Sequence, residues 1–154
     1  MVDKKRLKIL FLCTGNSCRS QMAEAWARHL KKEEFEVFSA GTEPKGVDPL
    51  AVEAMSEVGI DISSNSSKHI KDLAESEFDY VITLCGHAKE TCPVFPGRAK
   101  VVHHGFDDPP KLAANAADRE EAISHYRRVR DEIKGFVENL PGSLEEDSKV
   151  KFVI

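Results

Sequence analysis

The apolar segment Leu7-Lys8-Ile9-Leu10-Phe11-Leu12 runs directly into Cys13-Thr14-Gly15-Asn16-Ser17-Cys18-Arg19-Ser20, and an amphipathic stretch follows. A short apolar run bounded by polar residues reads as a buried strand. From Ser20 to Lys32, the residues Met22, Ala23, Trp26, Ala27 and Leu30 recur at helical spacing and share one face. The chain must therefore pass from strand to helix through a loop of a few residues. Such a loop points successive backbone N–H groups at one spot, and the helix N-terminus adds positive potential there. A tetrahedral oxyanion fits that cradle. Cys13, at its rim, would be held as thiolate by the same field and by Arg19.

Each loop residue has a task in this reading. Gly15 permits a close or left-handed backbone. Asn16 can hydrogen-bond across the loop. Arg19 offers a two-pronged fork to an oxyanion, and Ser20 is placed to donate to the Cys13 sulfur. The expected oxyanion site is Thr14, Gly15, Asn16, Ser17, Cys18, Arg19 and Ser20. The bland alternative is a buried cysteine before an ordinary helix cap.

Strand and helix patterns alternate down the chain. Phe35 to Ala40 reads as a strand ending at Gly41. Asp48 is set to cap a helix running to Val58, with Pro49 in its first turn and Gly59 past its end. Tyr80 to Leu84 is a further strand and Val101-Val102 a weaker one. Asp118 to Leu140 is a long helix with Ile123, Tyr126, Val129, Ile133, Phe136 and Val137 along one stripe. This alternation predicts an α/β domain with a parallel sheet. Its 154 residues are read as one domain, 1–154, whose tail from Pro141 either docks on the sheet or frays. In such sheets ligands collect at the carboxyl ends of strands. The Cys13 loop, the Cys85 loop and Gly105-Phe106-Asp107-Asp108-Pro109 all fall there.

A net charge of −4 gives no global case for binding nucleic acid or an anionic membrane. No apolar run approaches the ~20 residues of a membrane span, and the stretch behind the charged N-terminus is too short for a signal segment. The expectation is a cytoplasmic protein. In a reducing compartment the cysteines Cys13, Cys18, Cys85 and Cys92 point to catalysis or metal binding before structural disulfides.

Cys85 and Cys92 are separated by Gly86-His87-Ala88-Lys89-Glu90-Thr91. On a helix their Cα atoms would stand roughly 10.5 Å apart, whereas a disulfide needs about 7 Å or less. They can pair only if the segment unwinds, which Gly86 and Pro93 ease. Two unrelated core cysteines remain open, as does a zinc site with His87, His103 or His104, although the spacing matches no common zinc pattern. Asp108, before Pro109, is held extended and can serve as a general acid or simply cap a turn. Cys18 is either a small buried residue or the partner of Cys13 in a protective disulfide.

The Cys13–Ser20 loop resembles that of low-molecular-weight protein tyrosine phosphatases. Cys13 to Glu24, Ser39-Ala40-Gly41-Thr42 and Gly59-Ile60-Asp61-Ile62-Ser63 look like the thioredoxin-coupled arsenate reductases built on that fold. The resemblance implies a three-layer α/β fold with a central parallel sheet of about four strands. It implies reduction of arsenate to arsenite, with Cys13 as nucleophile, Arg19 as clamp, Asp108 as acid and Cys85/Cys92 as a disulfide relay. Thioredoxin is then the reductant, phosphate and sulfate are substrate analogues, no cofactor is bound, and the chain is expected to be a monomer. A phosphatase using Cys13, Arg19 and Asp108 is the runner-up. Phosphotyrosine phosphatases usually carry aromatic residues after this proline, where Pro110-Lys111 stand here. A thiol-based arsenic sensor is the third, non-enzymatic reading. Some relatives hold potassium at positions corresponding to Asn16, Glu24, Ser39, Ser66 and Lys68, the last being Asp in them. A lysine at that position is expected to replace the ion.

Overall fold

In the computed structural model, which describes residues 6–73, 77–84, 99–142, 144 and 151–152, alternation along the first strand divides the core in two. From β1 (Leu7–Cys13), Ile9 and Phe11 join a cluster with Met22, Trp26, Met55, Ile123 and Ile133. Leu10 and Leu12 point to the other face, against Ala40, Phe78, Val81 and Val101, as the two-residue period of a strand requires. All four β1 side chains are fully buried, each stabilising by about 1.5–3 kcal/mol.

The sheet order is β2-β1-β3-β4-β5. β2 (Phe35–Gly41) and β3 (Tyr80–Thr83) flank β1, and both run parallel to it. β4 (Lys100–His103) runs parallel to β3. These strands make the expected parallel sheet. At its edge β5 (Lys151–Phe152) adds an antiparallel pairing, with Lys100 opposite Phe152. Because β2 lies on one side of β1 and β3 on the other, the winding direction reverses at β1. The carboxyl end of β1 is therefore a topological switch point, where α/β sheets open a crevice.

Helix α1 (Arg19–Leu30) buries Met22, Ala23, Trp26 and Ala27 as its periodicity predicts. Leu30, counted on the same stripe, is 37% exposed, because the helix ends there and the chain turns into β2 through the bond Glu34 N–H to Lys31 O. Helix α2 (Pro49–Ser56) is capped by Asp48, whose carboxylate accepts from Leu50 N–H. A short α3 (Pro109–Ala113), absent from the sequence reading, follows Asp108. Helix α4 (Arg119–Glu138) is capped by Asp118 and buries its whole predicted stripe.

The Arg127–Arg130 run is tied to carboxylates. Arg127 pairs with Glu57 and Glu120, and Arg128 with Asp107 and Glu132. Arg130 is buried, reaching Ala54 O and Glu57.

Candidate active site

Cys13 closes β1 and the next residues form the loop into α1. The loop's carbonyl groups face outward. Thr14 O accepts from Glu43 N–H at 2.8 Å, Gly15 O from Lys45 N–H at 3.0 Å, and Ser17 O from Asp48 N–H at 2.9 Å. Asn16 O accepts from the Ser67 hydroxyl at 2.6 Å and from Gln21 Nε2 at 3.1 Å. With the carbonyls bonded to the flanking chain, the amides of Gly15 to Arg19 find no protein acceptor among the described residues. Successive acceptor-free amides beside a helix N-terminus are suited to form an anion-binding nest.

The left-handed residue of the loop is Asn16, at φ 47°, while Gly15, expected to be close or left-handed, takes a close approach. Asparagine tolerates this conformation better than most residues, and its side chain is pinned on three sides. Asn16 Nδ2 donates to Ser20 Oγ at 2.8 Å and to Ser39 Oγ at 3.0 Å, while its Oδ1 accepts from Lys68 N–H at 2.8 Å. Ser20 thus belongs to the frame under the loop, and among the described residues it makes no bond to the Cys13 sulfur. Gly41, at the end of β2, allows the close approach. A Cβ there would lie 2.5 Å from Thr14 O and 2.9 Å from Cys13 O.

Arg19 enters from the first turn of α1. Its Nη1 donates to Phe106 O at 3.0 Å, its Nη2 stands 3.6 Å from Asp108 Oδ1, and its Nε is buried with no partner among the described residues. An orphaned guanidinium donor beside an amide nest is matched to an incoming oxyanion. Asp108 occupies the N-cap position of α3, but its side chain makes no capping bond. The carboxyl group is left to the cleft instead. That cleft, about 510 Å³, is walled by Cys13, Arg19, Asp108, Glu43, Lys45 and Lys111, among others.

Cys18 is the N-cap residue of α1 and 2% exposed. Burial, followed by the nearby Asp48 carboxylate, pushes its thiol well above the ordinary value. A thiol held protonated is a poor attacking group. Asp48 also accepts a bond from Tyr126 O–H at 2.6 Å, which ties α4 to the segment flanking the loop.

The groups around Asn16 do not fit a potassium ion. Glu24 is spent on Ser39 Oγ at 2.6 Å and Arg28 Nη2 at 2.8 Å. Ser66 O accepts from Gln21 Nε2 at 3.2 Å and from Lys68 Nζ at 3.1 Å. A cation would have to displace these donors and meet the Lys68 ammonium.

Of the residues expected at the site, the structure places Cys13, Thr14, Gly15, Ser17, Cys18, Arg19 and Asp108 on the cleft, while Asn16 and Ser20 are fully buried and do not line it. Cys85 and Cys92 lie outside the described residues. Sequence reasoning missed Gly41, Gln21, Ser67, Glu43 and Lys45. Gln21 carried no signal, since it stands opposite the apolar stripe of α1 and its full burial appears only in the structure. No helix of the described residues is long and apolar enough to cross a membrane.

Comparison with known proteins places these features in context. The profile of the low molecular weight phosphotyrosine protein phosphatase family matches residues 8–150. An arsenate reductase of Halalkalibacterium halodurans is 54% identical over 125 residues, covering 81% of this chain and 88% of that protein. A solved arsenate reductase in its phosphate-binding state superposes with a TM-score of 0.66 at 32% identity, covering 90% of this chain and 98% of that one. A thioredoxin-dependent arsenate reductase of Corynebacterium glutamicum superposes with a TM-score of 0.64 at 28% identity, covering 94% of this chain and 65% of that one.

Proposed function

The chain belongs to the low molecular weight phosphotyrosine protein phosphatase family, and on that premise we propose that it is an arsenate reductase. The observation that carries the reading is the convergence of Cys13, the acceptor-free loop that follows it, the Arg19 guanidinium and the Asp108 carboxyl on one cleft. The arsenate reductase of H. halodurans, alike over most of its length, supports arsenate over other oxyanions.

In the first step the Cys13 thiolate attacks arsenic, and the S–As bond forms as an oxygen departs with a proton from Asp108. The amides and Arg19 hold the three remaining oxygens and the charge that develops on them. Cys85 then attacks the Cys13 sulfur. The S–As bond breaks with its electron pair going to arsenic, so arsenite leaves and a Cys13–Cys85 disulfide remains. Attack of Cys92 on Cys85 releases the Cys13 thiolate and forms a Cys85–Cys92 disulfide. Thioredoxin dithiol reduces that bond; the thioredoxin-dependent neighbour from C. glutamicum supports this choice of reductant. Cys85 and Cys92 enter only through what the resemblance to thioredoxin-coupled arsenate reductases implies. No resident cofactor is needed, because the electrons pass through thiols.

Phosphate monoester hydrolysis is a minor activity of the same cleft, since phosphate and arsenate share shape and charge. The relay is tested with Cys92→Ser. This variant releases about one arsenite per enzyme and then stops, because the Cys13–Cys85 disulfide has no internal exit. Sustained turnover would refute the relay.

A further inference from the structure

Two lysines stand at the mouth of the cleft with no task in the chemistry above. Lys45 lies on the segment between β2 and α2. Its N–H donates to Gly15 O, and its alkyl stem lies across the loop, so that a Cβ at Gly15 would be 3.3 Å from Lys45 Cδ. Lys111 comes from α3, three residues after Asp108. Both line the cleft. Among the described residues neither side chain makes a hydrogen bond or an ion pair. A lysine stem packed on the loop keeps its ammonium group at the solvent side of the same opening.

The other charged groups at the cleft are Arg19, Glu43, Asp108 and the Cys13 thiolate of the proposed chemistry. Three cations therefore face two carboxylates and that thiolate there, on a chain whose net charge is −4. The lysines offset the carboxylates and the thiolate locally, as an anion site in an acidic protein requires. No aromatic side chain lines the cleft among the described residues, so a flat organic group gains no stacking contact at the mouth.

We propose that Lys45 and Lys111 are specificity-determining residues that select a free tetrahedral oxyanion over an organic ester of the same anion. The inference rests on the function proposed above and names how the same cleft chooses its substrate class. The amide nest and Arg19 hold three oxygens of any such anion equally. The fourth points to the mouth. In a free oxyanion it is small, polar and part of the charged group, and the two ammonium groups meet it. In an aryl ester it carries a neutral ring, which meets two hydrated cations and no apolar wall.

The test is steady-state kinetics on the full chain with Lys45→Gln, Lys111→Gln, both together, and the paired Lys→Arg variants. Arsenate is the substrate in one arm and p-nitrophenyl phosphate in the other. The double Gln variant raises the arsenate KM about tenfold with kcat within about twofold, the signature of lost uniform binding. The ratio of arsenate KM to aryl phosphate KM rises by nearly as much. The salt dependence of arsenate kcat/KM flattens, and the Arg pair restores both. An unchanged arsenate KM, or an equal rise for both substrates, overturns the proposal while arsenate reduction stands. A wild-type chain that neither reduces arsenate nor is inhibited by it in ester hydrolysis overturns the reductase reading and this proposal together.

Discussion

Arg19 Nη2 stands 3.6 Å from Asp108 Oδ1, beyond the length of a normal hydrogen bond. The guanidinium is anchored through its other arm to Phe106 O, so it orients the acid loop without consuming the acid. Asp108 makes no capping bond in α3 either. Its carboxyl group is held near the cleft and left available for proton transfer. Asp108→Asn keeps the shape and loses the proton, so arsenate-dependent turnover falls by about 10²-fold or more. Protection of this variant against heat by inorganic phosphate is retained. Wild-type turnover in Asp108→Asn would remove the residue from the mechanism.

Arg19→Lys loses the planar fork and the anchor on Phe106 O together. A lysine presents a single point charge and cannot serve both partners. Turnover falls by about 10²–10³-fold, and phosphate protection weakens with it. If kcat changes by less than about threefold, Arg19 holds neither the loop nor the anion in the way described.

Gly41→Ala places a methyl group 2.5 Å from Thr14 O, a backbone atom that cannot swing aside. The end of β2 must retreat from the loop, at a cost of about 1–3 kcal/mol. Since the loop's shape depends on that approach, the phosphate-dependent rise in Tm is lost along with basal stability. Melting curves with and without phosphate measure both. A variant with wild-type Tm and a full phosphate shift contradicts the packing.

Cys18 makes stability depend on pH. Its folded-state value is raised by burial and by Asp48, so its contribution is complete below the unfolded thiol value, about 8.5, and is lost as pH rises above it. Over that range the unfolded chain ionises while the folded chain resists. The slope approaches about 1.4 kcal/mol per pH unit. Tyr126 is also raised, by burial and by its bond to Asp48, but its effect begins only above about pH 10. Denaturant melts of the wild type and of Cys18→Ala compared between about pH 8.5 and 9.5 therefore separate Cys18 from the other thiols and from Tyr126. Cys18→Ala flattens this window; an equal slope in both proteins rules the thiol out as its cause.

Lys68 Nζ donates to Ser66 O, at the position where the family resemblance implies a potassium ligand. Replacing sodium with potassium leaves the Tm of this chain unchanged. Lys68→Asp removes the ammonium and adds a carboxylate, and it creates potassium-dependent stabilisation. Strong preference of the wild-type chain for potassium would show that the ion has a site here after all.

Much of the cradle was legible because it is local. Strand, loop and helix follow one another from Leu7 to Leu30, and hydrophobic period alone marks the change between them. Residues whose role depends on distant chain were not legible. Gly41 is an ordinary strand end until its approach to Thr14 O is seen, and Lys45 is an ordinary loop lysine until its stem lies on Gly15. The left-handed position fell on Asn16 and not Gly15 because the bonds from Asn16 to Ser39 and Lys68, both remote in sequence, repay the strain. Asp108 was ambiguous between acid and cap, and its backbone does hold the cap position while its side chain does not cap. Helix α3 escaped notice because five residues are too few to display a helical period.

The most direct measurement is steady-state NADPH consumption by the full chain with arsenate, thioredoxin and thioredoxin reductase. The account predicts sustained, arsenate-dependent oxidation that is abolished in Cys13→Ser. Absence of any arsenate-dependent oxidation, together with brisk hydrolysis of p-nitrophenyl phosphate, would contradict it and make the chain a phosphatase.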